Sequence, residues 1–297
     1  MIDQIQLNFN PAALEALNWV LAVIMFGVAL DLKPEDFRRV LRLPRAPAVG
    51  LLCQFVLMPA FATLILILIR PAPSIALGII LVAACPGGNV SNFLTSLGKG
   101  NAALSVSMSA ISTLASIIMT PLNFALWGSI NPYTAPLLAE IGLSPLDILK
   151  TVVTILVLPT LLGMLMNHHR PALAARLLGP MRLLSILFLF GFVAAALSAN
   201  FDYFREYIGT TFWIVLIVNG TALLLGYWAA RLAGLARTDA RAVCFETGIQ
   251  NSGFGLILVF NFFGGLGGMA IASAWWGVWH LISGMALAFW WSRHPAP

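Results

Sequence analysis

Charge is what this 297-residue chain has least of. Lys, Arg, Asp and Glu make up 9% of it, whereas an ordinary soluble domain carries about 25%. With 60% of residues hydrophobic, a water-exposed globular fold is excluded and the chain reads as an all-α integral membrane protein. At about 20 residues per helical span, nine spans consume about 180 to 200 residues. That leaves short loops and no room for a separate soluble enzyme or a nucleic-acid module. Cysteine is scarce as well: Cys53, Cys85 and Cys244 are odd in number and lie inside apolar stretches, which offers neither a disulfide framework nor a zinc site. The opening residues MIDQIQLNFNP hold Asp3 but no Lys or Arg, so the basic n-region of a signal peptide is missing and the N-terminus reads as mature. No HExxH, paired aspartates or serine-nucleophile motif occurs in the spans, which argues against an intramembrane enzyme.

What is present is a run of apolar windows. They place nine spans near 12–30, 47–69, 74–98, 102–128, 145–167, 183–200, 209–232, 240–263 and 269–292. The segments SINPYTAPLLAEIGLS and FDYFREY read as interfacial turns or short surface helices. The net charge of +5 is a statement about topology. Thirteen of the sixteen basic residues fall on one side, in the loop with Lys33, Arg38, Arg39, Arg42 and Arg45 and in alternate later loops; Arg70, Lys150 and Arg205 fall on the other. The positive-inside rule then puts the N-terminus outside and the C-terminus in the cytoplasm, in the cell membrane.

Two spans are unlike the rest. The third contains CPGGNVSN and the eighth ETGIQNSGFG, each near its middle. Polar side chains gathered at a helix break suit a transporter, where unwound backbone must line a cavity or be satisfied by neighbours. The two breaks occupy matching places in halves of opposite orientation: residues 12–128 with four spans, and 145–292 with five. Paired breaks in inverted halves predict a binding site where they cross, near mid-membrane.

Of the eleven acidic residues only Glu246 lies deep in a span. A carboxylate there costs on the order of 2.5 to 3.5 kcal/mol by insertion scales, so its default reading is a cation ligand or proton carrier. Oxygen-bearing side chains accompany it in Gln54, Ser91, Asn92, Ser105, Ser109 and Gln250, and the i, i+4 spacing puts Ser105 and Ser109 on one helix face. The first half-helices are expected to end near Gly87 and Thr247, where free carbonyls favour a cation. The second begin near Asn89 and Asn251, where free N–H groups favour an anion.

At these residues the sequence resembles the bile acid:sodium symporter family. The matching elements are IMFGVALDLKPEDF, QFVLMP, CPGGNVSNFLTSLGKGNAALSVSMSAIST, FETGIQNSG and VWHLISG, and they cover nearly the whole chain. The resemblance implies a core and a panel domain, and two Na+ sites behind the crossing. The first would use Ser91, Asn92, Ser105, Ser109 and Glu246; the second would use Gln54, Glu246, Gln250 and the carbonyls of Thr247 and Ile249. It implies a small organic anion, bile-acid-like or a small carboxylate, held by Asn251, His280 and the N–H groups at Asn89 and Val90. Asn89 stands where Thr or Ser is frequent, Leu281 follows His280 where several bacterial relatives have Asn, and Gly277 replaces a polar residue, so the substrate need not be a bile acid. The expected function is Na+-coupled symport of an organic anion, with no catalytic residues and no required oligomer. A proton-coupled or arsenite-type exporter of the same architecture, with Cys85 as a thiol ligand, is the alternative.

Overall fold

The computed structural model describes residues 2–5, 19–30 apart from Leu21 and Val28, Arg42, 44–142, 157–199 and 201–294. Among them there is no strand, only an isolated antiparallel bridge between Gly87 and Gln250. The helices are α1 (Arg45–Ile69), α2 (Pro73–Ala84), α3 (Asn89–Leu97), α4 (Ala102–Ile130), α5 (Ala135–Ile141), α6 (Leu158–His169), α7 (Pro171–Ala199), α8 (Phe201–Leu232), α9 (Arg237–Gly248), α10 (Ser252–Phe262) and α11 (Gly267–Arg293). Among the described residues α1, α4, α8 and α11 are each long and apolar enough to cross a membrane. Leu64, Leu68, Ile118, Leu122, Trp213, Leu224 and Phe289 point outward from them. A soluble protein could not afford such faces, and the chain is an integral membrane protein.

Local chemistry decides where the helices stop. The residue before a proline is pushed out of the helical region, and Cys85, ahead of Pro86, is extended at φ −72°, ψ 158°. The first half-helix therefore ends at Ala84, three residues before the Gly87 expected from sequence. The segment 86–88 stays extended until Asn89 opens α3. In the second break α9 runs to Gly248, and Asn251 caps α10 by accepting a hydrogen bond from the Phe254 N–H at 3.0 Å. The 12 residues of α2 and 11 of α10 rise about 16 to 18 Å, about half of a 30 Å hydrocarbon core.

The surroundings are built for close approach. Every residue of α2 from Ser74 to Ala84 is buried, and an added Cβ on Gly78 would meet the Met269 backbone of α11 at 2.7 Å. In α1 the turn Cys53–Leu57 is π-helical, with the Met58 N–H donating to the Cys53 carbonyl. Pro59 follows at once; its ring cannot tolerate the carbonyl four residues back, and the wider turn removes the clash.

Two of the sequence boundaries differ. FDYFREY is the first part of α8, because nothing in it breaks a helix. The stretch with Arg176 and Arg182 forms the opening turns of α7, because PALAARLLGP is rich in Ala and Leu and has Pro171 at the first helical position, where its missing N–H is harmless. The segment SINPYTAPLLAEIGLS, read as a loop at 129–144, does hold a short helix, α5. Lys150 and about half of the residues in the spans read at 12–30 and 145–167 lie outside the described residues.

Candidate functional site

The two broken helices meet backbone to backbone. The Asn251 N–H donates to the Pro86 carbonyl at 2.8 Å, and the Gly88 N–H donates to the Ile249 carbonyl at 3.2 Å. Unwound backbone in an apolar interior must be satisfied internally, and here each break supplies the other's partners. A further open carbonyl, that of Ala84 at the end of α2, accepts from Thr120 Oγ1 at 2.8 Å.

Glu246 projects from the last turn of α9 into this crossing and is 1% exposed. Ser91 Oγ lies 2.7 Å from Glu246 Oε2, and Ser109 Oγ lies 3.0 and 2.8 Å from Oε1 and Oε2. Ser112 Oγ donates to Oε1 at 3.2 Å. Asn92 Oδ1 accepts from Ser105 Oγ at 2.8 Å and faces Ser109 Oγ at 3.1 Å, while Thr95 Oγ1 donates to Ser105 Oγ at 3.2 Å. Ser91, Asn92, Ser105, Ser109 and Glu246 are thus brought into one buried cluster. A serine hydroxyl that donates its proton to a carboxylate keeps two lone pairs, so the cluster offers oxygen donors around one negative charge. Hard cations take such ligands. Among the described residues no group of three or more His, Cys, Asp or Glu side chains comes together.

Beside it lies a second constellation. Gln54, presented by the π-helical turn of α1, donates through Nε2 to the Cys85 carbonyl at 2.6 Å and to Gln250 Oε1 at 2.8 Å. Gln250 Nε2 donates to the Thr247 carbonyl at 2.6 Å. The structure therefore brings together Gln54, Gln250 and the carbonyls of Thr247 and Ile249 at the end of α9, with Glu246 one residue earlier. Here the two glutamines bond each other.

The four residues read as anion contacts are less tightly gathered. Val90 is exposed at the start of α3. Asn89 opens that helix, and its side chain lies outside the described ones. Asn251 Oδ1 is used to cap α10. His280 on α11 is 5% exposed, and its Nδ1 has no hydrogen-bond partner among the described residues. Gly277, one turn before it, faces the start of α10: a Cβ there would lie 2.8 Å from Ser252 Oγ. Cys85 directs its Sγ to the Leu81 carbonyl at 3.2 Å.

Four further polar residues stand at or near the crossing without having been singled out from sequence. Ser112 lies three residues after Ser109 and seven after Ser105, so helical spacing already put it on their face. Thr95 is one turn beyond Ser91 in the same way. Asn219 of α8 donates through Nδ2 to the Gly248 carbonyl at 2.8 Å and accepts from Ser283 Oγ of α11 at 2.6 Å; a solitary Asn in an apolar span was the only signal.

The family model described as the Sodium Bile acid symporter family matches residues 18–207. The chain is 32% identical to the "Uncharacterized sodium-dependent transporter YocS" of Bacillus subtilis, over 92% of this chain and 82% of that one. It is 31% identical to the "Ileal sodium/bile acid cotransporter" of Homo sapiens, over 82% of this chain and 70% of that one. It is also 31% identical to the "Probable sodium/metabolite cotransporter BASS2, chloroplastic" of Oryza sativa, over 93% of this chain and 64% of that one.

Proposed function

This chain belongs to the Sodium Bile acid symporter family, and on that premise we propose that it is a sodium-coupled secondary transporter carrying a small organic anion across the cytoplasmic membrane. The observation that carries the reading is Glu246, one buried carboxylate ringed by Ser91, Ser109 and Ser112 hydroxyls where two broken helices cross. One Na+ binds among Ser91, Asn92, Ser105, Ser109 and Glu246. A second binds among Gln54, Gln250, Glu246 and the carbonyls of Thr247 and Ile249, with the glutamine amides turning their oxygens inward to take it. The organic anion binds at the N-terminal ends of α3 and α10, where Val90, Asn89 and Asn251 sit, with His280 one turn from Gly277. Those helix starts carry the positive dipole end.

The crossing would be a pseudo-two-fold centre between inverted halves at residues 12–128 and 145–292, with a core domain rocking against a panel domain to expose the site alternately. Ile5 and His294 lie at opposite ends of α11, in keeping with an N-terminus outside and a C-terminus inside. Nothing in this cycle needs a catalytic group, a nucleic acid or an oligomer; its partners are the anion and the lipid bilayer. The test is a thermal-shift screen of the purified protein against organic anions, with Na+ or with choline at equal ionic strength. The substrate should stabilise more in Na+ than in choline, because binding of the two is linked. Equal stabilisation in both salts overturns sodium coupling.

A further inference from the structure

The carbonyls at the end of α9 are held one by one, each from a different element. Gln250 Nε2 takes that of Thr247 at 2.6 Å, the Gly88 N–H takes that of Ile249 at 3.2 Å, and Asn219 Nδ2 takes that of Gly248 at 2.8 Å. The Thr247 and Ile249 carbonyls are those assigned above to the second Na+, and their donors belong to the crossing itself. That of Gly248, between them in the chain, is held from outside. We propose that Asn219 is a positioning residue for the cation site: it pins the Gly248 peptide so that the carbonyls on either side stay aimed at the ion, and it ties that point to the turn of α11 that carries His280.

The packing leaves Asn219 little freedom. It is fully buried, and an added Cβ on Gly248 would run into Leu223, one turn along the same face of α8. The end of α9 therefore rests directly on α8. Both ends of the Asn219 amide are engaged, Nδ2 by Gly248 and Oδ1 by Ser283 Oγ at 2.6 Å. Ser283 Oγ also lies 3.3 Å from the His280 carbonyl, and the shorter distance gives its proton to Asn219. A continuous polar path thus runs from the end of α9, through α8, to the α11 turn where the anion is proposed to bind. Binding of Na+ needs Gln250 and Gly88 to release or share their carbonyls. Asn219 need not let go, because Gly248 is not a ligand.

This assignment rests on the sodium-coupled reading, and its test separates the two. Purified wild type, Asn219→Ala, Ser283→Ala and Ser283→Thr are melted across a Na+ titration with choline keeping ionic strength constant. The loss of one neutral hydrogen bond corresponds to roughly fivefold in an equilibrium, so half-saturating Na+ should rise roughly fivefold in Asn219→Ala. It should rise about two- to threefold in Ser283→Ala and return to the wild-type value in Ser283→Thr, which keeps the hydroxyl. Should Asn219→Ala not fold, the two Ser283 variants decide alone. Variants that melt lower at every salt composition but keep the wild-type half-saturation hold a merely structural bond, and the proposal falls. A wild-type protein indifferent to Na+ overturns the sodium reading and this assignment with it.

Discussion

Glu246 has its environment fixed by a residue without a side chain. An added Cβ on Gly87 would collide with Oε1 of the carboxylate, so the acid can sit against the first break only because position 87 is bare. Gly87→Ala should drive the carboxylate away from Ser109 and Ser112 and weaken the Na+-dependent rise in melting temperature by roughly tenfold in half-saturation, the scale of one lost charge-assisted hydrogen bond. Gly179→Ala, where no atom of the described residues lies within 4 Å of an added Cβ, is the control and should leave it unchanged. A Gly87→Ala protein with the wild-type sodium response would remove Glu246 from the site. Ser91, Asn92, Ser105, Ser109 and Glu246 were legible in sequence because polar residues are rare in the spans and the acid stands alone. Asn219 was not legible as a partner: its bond to Gly248 joins residues 29 apart on separate helices, and no periodicity within one helix reports that.

Helix ends are anchored by charge on both sides of the molecule. At one end Asp3 Oδ1 accepts from the Ser74 N–H at the start of α2 at 2.8 Å, and the Ile5 carbonyl accepts from the Gly267 N–H at the start of α11 at 2.7 Å. At the other end Arg241, in the helix α9, is 5% exposed. Its guanidinium donates to the Gly98 carbonyl beyond α3 at 2.8 Å and to the His294 carbonyl beyond α11 at 2.7 Å, and it lies over the Trp291 ring. A cation at two helix C-termini is where the dipole favours it. Hydrogen bonds from a charged donor contribute about 1.5 to 3 kcal/mol each, so loss of the two in Arg241→Ala should lower unfolding free energy by about 3 to 6 kcal/mol, measured as a drop in melting temperature in either salt. Arg241→Lys should recover only part of it, lacking the fork that reaches two carbonyls. An Arg241→Ala protein that melts with wild type would show the clamp to be idle. Of the elements, both breaks were readable because Pro86 and the glycines announce them. The π-helical turn at Gln54 was not, since Pro59 acts on the residues before it within a run, LLCQFVLMP, that reads as one unbroken apolar span.

For the molecule as a whole, the proposed stoichiometry has an electrical consequence. Two cations and one monoanion move one net charge, worth about 2.3 kcal/mol at 100 mV, and two tenfold Na+ gradients add about 2.8 kcal/mol at roughly 1.4 per decade. Uptake into vesicles should therefore quicken under an inside-negative potential, toward a limiting accumulation of several thousandfold; uptake indifferent to potential would sink the two-to-one ratio. The basic residues propose the orientation behind this and the sequence predicts that the breaks cross, whereas the backbone hydrogen bonds between them became visible only in three dimensions, because such bonds leave no mark on composition. That pairing also sets a timetable for biogenesis. Ser91 and Glu246 are 155 residues apart, which a ribosome takes roughly eight to thirty seconds to translate. For that interval the first break sits in the membrane with the backbone of Pro86 and Gly88 awaiting partners not yet made. Insertion of the nascent chain must leave this segment in contact with water, or with a helper protein, until the second half arrives to close it.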